Sequence, residues 1–326
     1  MANNFSQYVQ LIGRGKTAGK YLTQEQAYDA MSMVLNNQTT PEQLGAFLML
    51  LRVREESSEE LAGFLTACRQ YAGIQDTPNA RIDLDIGCYA GKRRHLPWSL
   101  LAVKLLAQNG YKVLLHGHVE ENSTRLYMQQ VWEHFNWQQA TSSQVIDAEL
   151  SSHGFAYAPL STVNPKLHYL INLRHQFGLR SCANTLARML NPFAAAHSLH
   201  GIYHKAFEEK HIKVAELLGE DVICIRGDSG EAEPNPEREV SVHQISSGKY
   251  EQKLLPKRLE DWQMKPKVLD PDIIKAVWLG RVKDTYGEAA TVLTVALFII
   301  QLKDIGVDDA LKTAGDLWEK RERTWV

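Results

Sequence analysis

The sequence predicts a two-domain α/β protein, a small N-terminal helical bundle followed by a larger domain whose central mixed, mainly parallel sheet is flanked by helices. Three observations carry that reading. Helix-start signals recur through the first third of the chain, the pattern changes to strand, loop, helix, strand after Pro78, and 326 residues of which 44% are hydrophobic can form one large domain with a smaller companion.

The helical part is legible at its boundaries. Thr23 with Gln26, Thr40 with Gln43, and Ser57 with Glu60 each have the spacing of a capping box, and Pro41 stands where a first helical residue belongs. Behind each box apolar residues recur at helical spacing: Ala27, Ala30, Met31 and Val34; then Leu44, Phe47, Leu48 and Leu51; then Leu61, Phe64, Leu65 and Cys68. This predicts a bundle over roughly residues 5–75, in a helical domain spanning 1–77.

From residue 78 to 326 the chain reads as the α/β domain. Ile82, Leu84 and Ile86 alternate as a strand, Gly87 and Gly91 interrupt, residues 97–109 form a helix closed by Gly110, and 113–115 form the next strand. In such a βαβ unit the loops after the strands share the sheet edge at which ligands bind, so loops 87–95 and 116–121 are neighbours. Further strands are expected at 155–158, 222–225, 240–244 and 250–255, and helices at 273–279, 289–302 and 308–318, with a turn-rich loop over 231–238.

Composition narrows the class. Four separated cysteines with no metal-ligand spacing read as buried, reduced thiols of a cytoplasmic protein. The polar residues 1–10 do not resemble a signal peptide, and the apolar run 292–302 is about half of a membrane span, so it reads as a core helix and no membrane partner is expected. The net charge is −2, yet charge is segregated: residues 81–118 hold six Lys/Arg against two acids, and 249–283 hold nine against five. A near-neutral chain with a basic face can bind a polyanion.

Two stretches carry a family resemblance. Residues 22–69, LTQEQAYDAMSMVLNNQTTPEQLGAFLMLLRVREESSEELAGFLTACR, and residues 154–192, from GFAYAPL through NLRHQFGLRSCANTLARMLNP, resemble the anthranilate phosphoribosyltransferase family. The resemblance implies the two-domain fold, a segment near 163–190 that completes the helical domain, and a homodimer joined through that domain. It also exposes departures. The family's GTGGDG diphosphate loop stands here as Gly87-Cys88-Tyr89-Ala90-Gly91-Lys92, KHGNR as Leu115-His116-Gly117-His118-Val119, and LGPL as Leu186-Ala187-Arg188-Met189. The serine-rich phosphate stretch is Glu120-Glu121-Asn122-Ser123-Thr124, and the magnesium-holding acidic pair falls on Glu231 and Ala232, with Glu233 close by. A loop that wraps a pyrophosphate needs glycines for close backbone approach, and Tyr89 obstructs it. The expectation is therefore no catalytic residue, no metal and no cofactor, as in a branch of the family that binds nucleic acid.

What replaces the cradle is basic. Lys92, Arg93, Arg94 and His95 form a run at the ligand edge, His116 and His118 lie beside it by adjacency, and the family fold turns Arg174 and Arg180 toward the same cleft. Tyr89 and Trp98 flank the run and could stack on bases, although Trp98 opens a helix and reads as readily as a packed core residue. Arg14, Lys16 and Lys20 could form a basic arm, and the stretch 249–267 is either a second basic patch or a solvated face. The site prediction is phosphate contact and stacking by Tyr89, Lys92, Arg93, Arg94, His95, His116, His118, Arg174 and Arg180. The function expected is binding of DNA or RNA, single-stranded and without sequence preference. The alternative is a phosphoribosyltransferase or nucleoside-phosphorylase-type enzyme with a different acceptor, and a protein-binding scaffold is a third possibility.

Overall fold

The computed structural model describes residues 4–15, 19–71, 73–74 and 76–325; Lys16, part of the proposed basic arm, lies outside them. The chain opens with α1 (Ser6–Gly13), α2 (Gln24–Leu35), α3 (Pro41–Arg54) and α4 (Ser58–Gln70). All three capping boxes form, each with its Thr or Ser side chain on the N3 amide and the N3 side chain returned to the cap amide. Glu60 does more than cap. Its carboxylate is fully buried and also accepts from Leu22 N–H (2.8 Å) and Arg54 Nη2 (2.6 Å), tying the α2 entry to α3 and α4.

The chain then alternates through β1 (Leu84–Cys88), α5 (Ser99–Gln108), β2 (Val113–Gly117), α6 (Met128–His134), α7 (Ser143–Ser152) and β3 (Phe155–Pro159). It returns to the helical layer with α8 (Leu160–Val163), α9 (Pro165–Asn172), α10 (Arg174–Phe177) and α11 (Ala183–Arg188). Leu167, Leu170 and Leu186 share one apolar core with Phe47, Leu61 and Phe64, while Asn164 Nδ2 donates to Cys68 O (2.8 Å) and Arg69 donates to Met189 O and Leu190 O.

Next come β4 (His197–Ile202), α12 (Phe207–Leu218), β5 (Val222–Arg226), β6 (Val240–Ser246), β7 (Lys249–Leu255), α13 (Asp272–Trp278), α14 (Thr285–Lys303) and α15 (Val307–Lys320). The strands make one seven-stranded sheet in the order β3-β2-β1-β4-β5-β6-β7, parallel from β3 to β5 and antiparallel at β6 and β7. The predicted mixed, mainly parallel sheet is thus observed. α14 is long and apolar enough to cross a bilayer, but most of it is buried in the core against α5, β4 and α15, as expected of the run 292–302.

Several local expectations are corrected. Gly87 does not break the chain; it lies inside β1, where the Arg188 backbone approaches so closely that a Cβ would stand 3.1 Å from Arg188 O. β1 begins at Leu84 rather than Ile82, and β2 runs on through His116 and Gly117. β4, central in the sheet, was not predicted, nor were α6, α7 and α12. The β4 sequence HSLHGI lacks an apolar alternation because two of its buried faces carry histidine and serine. All four cysteines are buried thiols.

Candidate anion-binding cleft between the domains

The parallel register sets Gly87 beside His116 and Cys88 beside Gly117, so the loops after β1 and β2 emerge together at one sheet edge, as expected. Loop 89–95 is pinned there by a two-way backbone bridge, Lys92 N–H to Leu126 O (2.8 Å) and Leu126 N–H to Lys92 O (2.9 Å). Gly91 has φ +66° and carries the Tyr127 ring where a Cβ would sit, which explains why this glycine of the loop persists.

Lys92 is the principal correction. It is 1% exposed, and its ammonium sits 2.6 Å from both Asp228 Oδ2 and Glu233 Oε1. Burial pulls its pKa down, but the Glu233 and Asp228 charges outweigh that and hold it above the ordinary lysine value. Glu233, fully buried, is raised by desolvation despite Lys92; Asp228, less enclosed, is lowered, the ammonium beside it overcoming desolvation. The other Glu233 oxygen accepts from Ser99 N–H (2.7 Å) at the start of α5. Lys92 is thus consumed internally and is not a surface phosphate contact.

Glu231 fills the other half of the loop. Its Oε1 accepts from Ala90 N–H (2.7 Å) and Gly91 N–H (2.5 Å), the two adjacent amides that a bound anion would take. Arg125 secures the loop from the opposite side, donating to Ala90 O (2.6 Å). The turn-rich segment 231–238 is thus a largely buried insert into the site, and Asp228 joins Glu231 and Glu233 in an acidic set richer than sequence comparison suggested.

Two more expected contacts turn inward. His95 is buried and stacks on Tyr286 with centroids 3.7 Å apart and planes at 4°; burial pushes its pKa down to about 4, so at neutral pH it carries no charge toward a phosphate. Trp98 is 2% exposed and packs on Gly287 of α14, where a Cβ would stand 2.6 Å from the indole, so it cannot stack on a base. His116 is also fully buried. The Tyr89 hydroxyl, its pKa pushed well up by burial, donates to Nδ1 (2.6 Å), which leaves Nε2–H to donate to Asp85 Oδ2 (3.2 Å).

The remaining candidates meet at the cleft between the domains. Tyr89, His118, Arg174, Arg180 and Arg188 line it together with Glu120. Glu120 pairs with both Arg174 and Arg180, the latter at 3.3 Å, so a carboxylate from the α/β domain latches two guanidiniums of the crossing segment. The cleft is closed to about 20 Å³, room for one water. His118 lies edge-on to His168 (4.9 Å) and is held neutral, its pKa lowered to about 4 by burial and by His168 and His175. Arg93 and Arg94 are exposed and, among the described residues, have no carboxylate partner.

Two site residues escaped sequence reasoning. Arg188 replaces a family proline, and among the described residues its side chain has no hydrogen-bond or ion-pair partner; burial, the main effect, lowers its pKa, with Arg180 and Arg125 adding to it. Arg125 is lowered by burial and then by Arg93 and Arg180, so its guanidinium lies within electrostatic reach of Arg93, Arg180 and Arg188. The replaced LGPL motif signalled Arg188; nothing in the sequence signalled Arg125.

The class of protein is given by the fold: a helical bundle in front of a large α/β domain with a mainly parallel seven-stranded sheet. Residues 10–72 match the helical bundle domain of a glycosyl transferase family. The chain is 28% identical over 213 residues to the anthranilate phosphoribosyltransferase of Beijerinckia indica, covering 65% of this chain and 62% of that one. It is 27% identical over 239 residues to the uncharacterized protein YbiB of Escherichia coli, covering 72% and 74%. Among solved structures, anthranilate phosphoribosyltransferase from Thermus thermophilus superposes with TM-score 0.78 at 19% identity, covering 98% of this chain and 94% of that one. The Saccharomyces cerevisiae enzyme in complex with PRPP and Mg gives 0.78 at 16% identity, with the same coverage. The chain is thus similar in sequence to anthranilate phosphoribosyltransferases over about two thirds of its length and shares their two-domain fold.

Two stability predictions follow from the site's charges. Lys92→Met leaves Asp228 and Glu233 buried without their cation and should cost about 3–5 kcal/mol, read as a lowered urea midpoint at pH 7; an unchanged midpoint would show that the ammonium is dispensable. His95, His118 and His200 have folded pKa values of about 4, about 4 and about 3, each lowered chiefly by burial, and His211 lies well below its ordinary value for the same reason. Unfolded histidine takes its proton near 6.5, so the unfolded chain binds more protons between about pH 6.5 and 4. Stability should be constant above that window and fall as pH drops through it. Repeating the urea titration at pH 7 and pH 5 checks the sign, with a smaller difference expected in His200→Gln.

Proposed function

We propose that this chain binds the phosphate of a phosphate ester at Arg174, Arg180 and Arg188, with the phosphate displacing Glu120 from the arginines. The observation that carries the proposal is the charge of the cleft: three guanidiniums converge there and, among the described residues, Glu120 is the one carboxylate in its lining and Arg188 has no hydrogen-bond or ion-pair partner, Glu231 acting on it only as a nearby charge. The homology favours a small ligand of the class that phosphoribosyltransferases and nucleoside phosphorylases handle, a sugar phosphate or nucleotide, paired with another acceptor. Transfer from a magnesium–diphosphate donor would first require Glu231 to leave the Ala90 and Gly91 amides and Lys92 to leave its two acids.

A second reading, a single strand of DNA or RNA bound without sequence preference, is favoured by the exposed, unpaired Arg93 and Arg94 and by the line of guanidiniums leading inward from Arg93 past Arg125. One small phosphate cannot engage them all, whereas successive phosphates of a strand could. We further propose a cytoplasmic homodimer joined through the helical domain, in which paired sites would add avidity; sedimentation velocity tests the dimer.

The deciding experiment is calorimetric titration with ribose 5-phosphate, with phosphoribosyl pyrophosphate with and without magnesium, and with a 20-nucleotide single strand over a salt series. A small phosphate binding about tenfold more tightly to Glu120→Gln (~1.4 kcal/mol) and not to Arg180→Glu supports the cleft. Strand binding that falls steeply with salt and is weakened by Arg93→Glu/Arg94→Glu supports the second reading. If neither Glu120→Gln nor Arg180→Glu alters any binding, the cleft proposal fails.

A further inference from the structure

A second cavity lies on the other side of the His95–Tyr286 stack, at the N-terminus of α14, with a volume of about 460 Å³. Its lining mixes two chemistries. Leu96, Ile273, Met264 and Val268 are apolar, the last two 96% and 76% exposed. Lys265, Lys267 and Lys283 are cationic. Among the described residues none of these lysines has a carboxylate partner, although Lys257, in the same basic stretch, is paired with Glu260. The one acid lining the cavity, Asp284, is engaged as the α14 N-cap, accepting from Gly287 N–H at 2.7 Å. The α14 N-terminus is thus occupied by Asp284, and among the described residues the three ammonium groups outnumber this one carboxylate in the lining.

Shape and surroundings specify more than an anion. The volume falls in the range of small-ligand sites, and a lining that combines apolar side chains with ammonium groups suits a molecule with an apolar body and an anionic group. Trp262, 73% exposed, lies under the ammonium of the lining residue Lys265 at 5.4 Å, so an aromatic face and a cation are held together next to the cavity. His95 and Tyr286, stacked and buried, form a rigid boundary on the inner side.

We propose that this cavity is a binding site for a nucleoside monophosphate, with the phosphate on Lys265, Lys267 and Lys283 at the α14 N-terminus and the base against the Met264–Val268 wall. The site is separate from the interdomain cleft and does not depend on the function proposed for it. It fits the positive surplus of residues 249–283, which sequence reading left divided between a patch and a solvated face: Lys257 belongs to the solvated, paired part, Lys265 and Lys267 to the site.

The test uses the full chain with adenosine 5′-monophosphate as probe, followed by tryptophan fluorescence and by calorimetry, with adenosine and inorganic phosphate as the separated halves. The monophosphate should bind at least tenfold more tightly than either half, change the Trp262 emission (absent in Trp262→Phe), and weaken at least tenfold in Lys265→Glu/Lys283→Glu. Those lysines are on the surface, so the variant should retain the wild-type melting temperature, and Arg180→Glu in the cleft should leave this binding intact. The proposal is overturned if the monophosphate does not bind, if it binds no better than phosphate alone, or if Arg180→Glu abolishes binding that the lysine variant retains. The last outcome would assign the nucleotide to the cleft.

Discussion

The ammonium of Lys92 between Asp228 and Glu233 organises the ligand edge of this sheet. Three charges are withdrawn from solvent within hydrogen-bond distance of one another, and each is tolerable only because the others are there. The consequences spread through the chain connections. Glu233 holds the first turn of α5, the loop 227–233 is thereby fixed under the loop after β1, and Glu231, two residues before Glu233, is delivered to the Ala90 and Gly91 amides. Arg125 and the Lys92–Leu126 bridge then hold the loop after β2 to the same cluster.

This arrangement explains how the chain keeps a transferase fold while departing from its motifs. A cradle made for a diphosphate and a metal is a set of amide donors facing anionic oxygens and acids facing a cation. In this chain both sets are satisfied internally: a carboxylate lies on the amides and an ammonium lies between the acids. Glu120, clasped by Arg174 and Arg180, repeats the same substitution a few residues beyond β2. Satisfying these groups avoids the desolvation penalty that an empty, buried and highly charged cleft would carry, and it means that a ligand must exchange with a built-in ion rather than fill a vacancy.

Sequence reading recovered what is local. Capping boxes and apolar spacing mark α2, α3 and α4 because helix starts are written within four residues, and the parallel pairing of β1 and β2 follows from one βαβ unit. β4 stayed hidden because buried polar residues, Ser198 and His200, break its apolar pattern; the Nδ1 atom of His200 meets His211 of α12 at 3.1 Å, a distant partner no local pattern reveals. The basic run shows the same limit at the site. Lys92, Arg93, Arg94 and His95 are equivalent as a charge pattern, yet two are buried and two exposed. What separates them is the position of Glu233, 141 residues later, and of Tyr286. Loop residues have no periodicity to reveal which way they face, so that distinction appears only with tertiary structure.

The arginines divide by what they have already spent. Arg174 and Arg180 share the single charge of Glu120, Arg125 donates to backbone carbonyls, and among the described residues Arg93, Arg94 and Arg188 have no ion-pair partner. An approaching anion first meets Arg93 and Arg94, where water and salt screen the attraction and an exposed contact is worth little on its own. Arg188 lies deeper, in a lower dielectric where the same contact is stronger, and it shares the cleft with Glu120. On the proposed reading affinity and access are opposed along this track, and displacement of Glu120 would convert a weak surface encounter into occupation of the cleft.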